Sequence, residues 1–164
     1  MQDFFEAYLD IETTGLSLYI DNITVIGIYV VRGRGGSLVQ LVGEQVTKTN
    51  LLKSLDGVDR IYTYNGSRFD LPFMQSSLNV DLVESFQHRD LMYDCWRNNL
   101  YGGLKAVEEQ LGIVRRLKGI NGYEAVRLWW KYQNQRDRHA LRTLLEYNRE
   151  DVVNLRILRE VLLV

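Results

Sequence analysis

Asp10, Glu12, Asp70 and Asp151 stand in three separated fragments, AYLDIETTGL (7–16), YNGSRFDLPF (64–73) and EYNREDVVNL (146–155). Each fragment sets a carboxylate among apolar or aromatic residues, where an isolated charge is costly to bury. A hard divalent cation lowers that cost, because carboxylate oxygens are its natural ligands. Four such acids have the charge to hold a pair of cations beside a phosphodiester. In the first fragment Asp10 and Glu12 lie two apart in an apolar run of strand character containing Phe4, Phe5, Ala7, Tyr8, Leu9 and Ile11. Strand residues two apart share a face, so the two carboxylates project together and raise each other's proton affinity. The bland alternative is an Asp/Glu pair on the wet face of an edge strand.

The other two fragments are read in the same way. Asp70 follows the turn Asn65-Gly66-Ser67 and falls near a helix start, where the dipole favours negative charge and an ordinary first-turn acid is the competing explanation. Phe69, Leu71 and Phe73 beside it are equally compatible with a core. Pro72, the only proline, is tolerated in an early helical turn. Tyr147 and Asp151 are one turn apart in a segment from about His139 to Leu163 whose leucines recur at steps of three and four. Leu144, Tyr147, Asp151, Leu155, Leu158 and Leu162 form the inward stripe; Glu146, Arg149, Glu150, Arg156 and Arg159 are expected to face water. A hydrogen-bonded packing Asp beside a core Tyr is the alternative for this pair.

Taken together, the fragments resemble the DEDD superfamily of 3′–5′ exonucleases. Asp10-Ile11-Glu12 matches its DxE motif, Asn65 through Phe69-Asp70 its second motif, and Tyr147 through Asp151 its Tyr-x3-Asp motif. The position that carries histidine in the other branch is Glu146, so the resemblance is to the tyrosine (DEDDy) branch. YNGSRFDLPF also resembles the proofreading domains of family B DNA polymerases, and GYEAVRLWWKY with LLEYNREDVVNL resembles stand-alone, YprB-like ribonuclease-H-fold proteins.

The resemblance implies hydrolysis of phosphodiester bonds at the 3′ end of single-stranded DNA or RNA, with two divalent ions, Mg²⁺ or Mn²⁺, as cofactors. It makes Asp10, Glu12, Asp70 and Asp151 the metal ligands, with Asp10 bridging both ions and Asp70 serving the second through water. Tyr147 is assigned to positioning the nucleophilic water; a phenol with an ordinary pKa of about 10 is a poor base at neutral pH. The same analogy gives Thr13, Thr14, Gly15 and Leu16 contact with the terminal nucleotide, with Asn65 and Phe69 lining its pocket. Two rivals are an RNase-H-type endonuclease, which would cut a circular substrate, and a catalytically idle nucleic-acid-binding module, which would have lost a ligand.

The 164 residues suffice for one domain over 1–164 with a sizeable core. A partner domain or a larger assembly is left open by the abrupt end at Leu162-Leu163-Val164. No apolar stretch is long enough to span a membrane, the start lacks a basic n-region, and Cys95 stands alone, so a cytoplasmic protein is expected. The net charge of −1 hides an uneven distribution: residues 1–30 carry five acids and no Lys or Arg, whereas 113–142 carry eight Lys or Arg, including Arg115, Arg127 and Lys131, against two acids. An acidic floor beside a basic wall suits a cation-assisted reaction on a phosphate backbone; a solvated helix face explains any single arginine as well.

The elements that must position these residues follow from periodicity and turn residues. Residues 22–32 and 37–42 read as strands joined by a turn at Gly33-Arg34-Gly35-Gly36. Then come a helix over 47–55, a strand over 60–64, a helix over 69–78, a last strand over 85–89, and helices over 104–111, 123–133 and 139–163. Asp90 reads as the cap of a helix starting near Leu91, His88 and His139 as non-ligands, and at least one of Trp129 and Trp130 as core. The expected architecture is α/β, a ribonuclease-H-like mixed sheet with an antiparallel meander followed by parallel strands and helices on both faces.

Overall fold

A computed structural model describes residues 5–164; Phe4, in the first apolar run, lies outside them. Five strands form one mixed sheet: β1 (Glu6–Thr13), β2 (Ile23–Arg32), β3 (Gly35–Val42), β4 (Arg60–Thr63) and β5 (Gln87–Asp90), in the order β3-β2-β1-β4-β5. β1–β2 and β2–β3 pair antiparallel, and β4 joins β1 and β5 in parallel. The helices are α1 (Lys48–Ser54), α2 (Asp70–Leu78), α3 (Leu82–Ser85), α4 (Leu91–Arg97), α5 (Leu104–Leu111), α6 (Gly122–Gln135) and α7 (Arg138–Leu162).

Alternation along β1 divides the molecule into two layers. Ala7, Leu9 and Ile11 point into a core shared with Leu51, Phe73, Met74 and Leu82 from α1, α2 and α3. Tyr8 points the other way, onto Tyr62, Leu91, Cys95, Val107, Val152 and Leu155, from β4, α4, α5 and α7. Asp10 and Glu12 continue the Tyr8 side, the one covered by α7. A third cluster joins Val25 to Ala125 and Trp129 of α6 and to Leu144 and Tyr147 of α7. The mixed sheet covered on both faces is the architecture expected from the sequence.

Three details differ from expectation. The turn after β2 is tighter than the four residues 33–36, because Arg32 pairs with Gly35 and Val31 with Gly36, leaving a two-residue hairpin with Gly33 at φ +60°. Gly36 is a glycine for a packing reason: a Cβ there would meet the Tyr29 hydroxyl at 2.1 Å. Ser85 ends α3 instead of starting the last strand, because Asp81 accepts from Val83 N and opens a helical turn. Glu150 is buried, not water-facing. Its carboxylate accepts from the backbone N–H groups of Arg116 (2.7 Å) and Leu117 (3.2 Å), so α7 uses it to tie down the loop before α6.

Candidate active site

β1 and β4 run parallel, so the residues after both strands emerge at the same end of the sheet, where ligand sites of α/β folds are built. Their pairing ends at Tyr8 and Tyr62. Beyond it the N–H of Ile11 has lost its strand partner, and the carboxylate of Asp70, the first residue of α2, accepts it at 3.0 Å. That bond locks the second acidic fragment to the first. The turn leading into α2 is held from behind by Asp90, which caps α4 through Met92 N as expected and also accepts from Asn65 N (2.8 Å) and Ser67 N (3.0 Å). Asn65 adopts φ +59°, a left-handed conformation that asparagine tolerates better than most residues.

α7 delivers the third fragment across the same face. Its approach depends on Gly27, which pairs with Asp10 in the sheet. A Cβ at residue 27 would lie 2.2 Å from the side-chain oxygen of Asn148. With that space open, fully buried Asn148 donates to the backbone and side-chain oxygens of Asp10 (both 3.3 Å), while Gln40 donates to Asn148 at 3.0 Å. Asp151 follows by less than one turn.

Asp10, Glu12 and Asp151 consequently each offer a carboxylate oxygen within 4.8 Å of one another. Asp70 stands outside that trio but lines the same cleft of 540 Å³. The cleft is also lined by Thr13, Thr14, Gly15, Leu16, Asn65, Phe69 and Tyr147, so the expected metal ligands, the tyrosine and the expected nucleotide contacts all meet at one cavity. Leu16 is 84% exposed there and has no core role; Phe69 is half-buried and packs on Phe73 with ring centroids 5.3 Å apart. The Thr13–Leu16 loop is closed by a residue the motifs did not flag. Asp21 accepts from Thr14 Oγ1 and Ser17 N, both at 2.9 Å, and fills the space a Cβ on Gly15 would need.

The electrostatics are strained. Loss of hydration and repulsion from Asp151 and Asp70 raise the carboxyls of Asp10 and Glu12 well above the ordinary range. Burial pushes Asp70 up to about 7, against the Ile11 N–H that lowers it, and Asp151 up to about 6, against its Arg115 partner. Glu12 Oε1 is buried without any hydrogen-bond donor. An orphaned, buried carboxylate oxygen in a trio of acids fits a cation.

Two cations of the chain itself stand against this cluster. Arg115, one of the cations of the expected basic wall, is instead turned inward: its side chain is 9% exposed and forms ion pairs with Asp151 and with Glu108, which also accepts from Asn154 Nδ2 at 3.1 Å. Lys105 carries no motif. It donates to the Tyr147 hydroxyl at 3.1 Å and to the Ile120 carbonyl, and burial lowers its own pKa. Only its place at the second position of an unremarkable helix marked it, and no sequence spacing ties it to Tyr147. The Tyr147 phenol is itself shifted upward by burial and by Asp151, Glu12 and Asp10. His88 bonds Thr63 Oγ1 at 2.9 Å, away from the acids, and Trp129 is buried while Trp130 is 46% exposed.

Comparison with known proteins gives one family and a consistent set of folds. A family model described as the RNase_H superfamily matches residues 7–163. The uncharacterized protein YprB of Bacillus subtilis is 27% identical over 172 residues, covering 90% of this chain and 39% of that protein. The chain therefore spans well under half the length of this relative. The family B DNA polymerase of the archaeon Pyrobaculum calidifontis superposes with a TM-score of 0.74 at 20% identity, over 98% of this chain and 24% of the polymerase. NrnC of Brucella melitensis, in a structure with bound Mg²⁺, gives a TM-score of 0.63 at 22% identity, over 96% of this chain and 71% of NrnC. At these identities the likeness is one of fold. No described helix is long and apolar enough to cross a membrane.

Proposed function

The chain belongs to the RNase_H superfamily, and on that footing we propose that it is a metal-dependent 3′–5′ exonuclease of the tyrosine-type DEDD branch, acting as one nuclease domain on single-stranded DNA or RNA. The observation that carries this reading is the meeting of Asp10, Glu12 and Asp151 within 4.8 Å, with Asp70 and Tyr147 on the same cleft. Support also comes from neighbours: NrnC of Brucella melitensis has been solved with bound Mg²⁺ and bound to pGG.

Asp10, Glu12 and Asp151 hold the cations in this reading, with Asp70 at the far side of the site. When bound, two such ions neutralise the carboxylates, activate water and stabilise the leaving oxygen. The chain's own residues do the rest. Asn148 and Arg115 fix the carboxylates of Asp10 and Asp151, so little reorganisation is needed when a phosphate arrives. Tyr147, kept protonated by its raised pKa, is a hydrogen-bond donor that orients the attacking water and does not serve as a base. Lys105, beside that phenol, supplies positive charge toward the scissile phosphate. Leu16 and Phe69 offer apolar surface to the terminal base, and the Thr13–Gly15 backbone faces its sugar.

The test is hydrolysis of labelled single-stranded DNA and RNA with free or blocked 3′ ends, in Mg²⁺, Mn²⁺ or EDTA. Stepwise shortening that needs both metal and a free 3′ end is expected. Cleavage of a circular strand would replace this reading with an endonuclease, and binding without cleavage in either metal would leave an idle binding module.

A further inference from the structure

α6 carries a surface outside the core that begins at the edge of the acidic cleft and runs away from it. Tyr123 and Trp130 are 73% and 46% exposed. They are seven residues apart, which puts them on one helix face about 10 Å apart along the axis. Arg127 and Lys131 lie on the same face, and with Tyr123, Val126 and Trp130 they line a groove of 630 Å³. Trp129, the neighbour of Trp130, is buried against Val25 and Leu144, so the helix is anchored by one tryptophan while presenting the other. Tyr123 and Val126 line both this groove and the acidic cleft, so the two are continuous.

Aromatic faces alternating with cations along a channel are what single-stranded nucleic acid binds: bases stack, phosphates pair, and sequence matters little. A duplex, with its bases already stacked, has nothing to offer two separated aromatic rings. Each cation is itself exposed and has one part-exposed intramolecular partner, Arg127 with Glu124 and Lys131 with Asp137, both at 3.1 Å. Such exposed pairs are weak and give way to a phosphate.

We propose that the exposed face of α6 is the track for the single strand behind its 3′ end, with Trp130 and Tyr123 stacking bases and Arg127 and Lys131 holding phosphates. This rests on the exonuclease reading, since the terminal nucleotide is taken to sit among the acids. The track makes affinity grow with strand length beyond the few nucleotides that the cleft itself accommodates.

The test is anisotropy of labelled single strands of about 3 and about 12 nucleotides in EDTA, which stops turnover. For the natural chain the longer strand binds more tightly. In Trp130→Ala that gain shrinks roughly tenfold, and Trp130→Phe restores most of it, which a merely structural tryptophan would not show. Arg127→Ala with Lys131→Ala lowers the slope of log affinity against log salt by about 1.4, as expected for two lost contacts to single-stranded phosphate. An unchanged length gain in Trp130→Ala, with cleavage in Mg²⁺ intact, overturns the track alone. A natural chain that binds neither strand and cleaves nothing overturns the exonuclease reading with it.

Discussion

Arg115 donates through Nη2 to the carboxylate of Asp151 from a loop 36 positions earlier in the chain, and the same nitrogen together with Nε holds Glu108. The pair is an internal counter-charge for the acidic cluster, and α7 fastens the same loop a second time through Glu150. Breaking a buried pair by removing one partner costs about 3–5 kcal/mol, because the other charge stays behind. Arg115→Leu is expected to lose that order of stability in urea unfolding without metal, and to cleave at least tenfold more slowly. Arg115→Lys retains the charge but not the fork, and falls between.

The pH dependence of the metal-free protein is set by the raised acids. Asp70 titrates at about 7 when folded and Asp151 at about 6, against about 3.9 in an unfolded chain. Below about pH 4 both states are protonated and there is no penalty. As pH rises toward 7 the unfolded chain releases protons that Asp70 and Asp151 keep in the folded chain, so stability falls; Asp10 and Glu12, raised in the same direction, add to the loss. The melting temperature in EDTA therefore drops between pH 4 and 7. Millimolar Mn²⁺, which binds the ionised folded site, raises it more at pH 8 than at pH 5.5. An absent metal shift at pH 8 would remove the metal from the reading.

Asp10→Asn separates charge from shape. The amide ends repulsion with Glu12 and Asp151, so the metal-free melting temperature rises. Loss of a central ligand removes the Mn²⁺-dependent shift and lowers turnover by roughly 10³-fold or more. A variant that still melts higher with Mn²⁺ would place the cation elsewhere.

Tyr147→Phe keeps the buried ring and deletes the hydroxyl that meets Lys105. The expected result is a turnover reduced roughly 10- to 100-fold through poorer positioning of the water, with the Mn²⁺ melting shift preserved. Unchanged turnover would relieve Tyr147 of any part in the reaction.

Gly27→Ala tests the approach of α7. The new methyl overlaps Asn148, which has to leave its bonds to Asp10 and Gln40. Overpacking of this kind costs about 1–3 kcal/mol. Because the shift pushes Asp151 away from Asp10, activity is expected to fall further than the unfolded fraction accounts for; circular dichroism and turnover on the same sample check this.

Local signals in the chain carried the elements. The leucine spacing of α7 placed Tyr147 and Asp151 inward, the alternation of β1 put Asp10 and Glu12 on one face, and Asp90 read as a cap. Where local signals failed, a distant contact had intervened. Glu150 looked solvent-facing by periodicity and is buried because the Arg116 and Leu117 amides need an acceptor. Arg115 looked like one of many wall cations and is drawn inward by Glu108 and Asp151. Gly35 and Gly36 read as turn residues, but both pair with β2, and the space a side chain would need at Gly36 is filled by the ring of Tyr29.

The sequence by itself determined which acids and which tyrosine are candidates for the site and which face of its element each occupies, because helix and strand periods fix side-chain direction without reference to the rest of the chain. The tertiary structure alone decided that the acids of β1 and α7 close to within 4.8 Å, that Asp70 reaches the Ile11 amide, and that Lys105 and Arg115 stand against them. Those distances depend on how α7 packs over Gly27 and on how far β4 runs beside β1, and packing between segments 54 to 138 residues apart leaves no periodic trace in either.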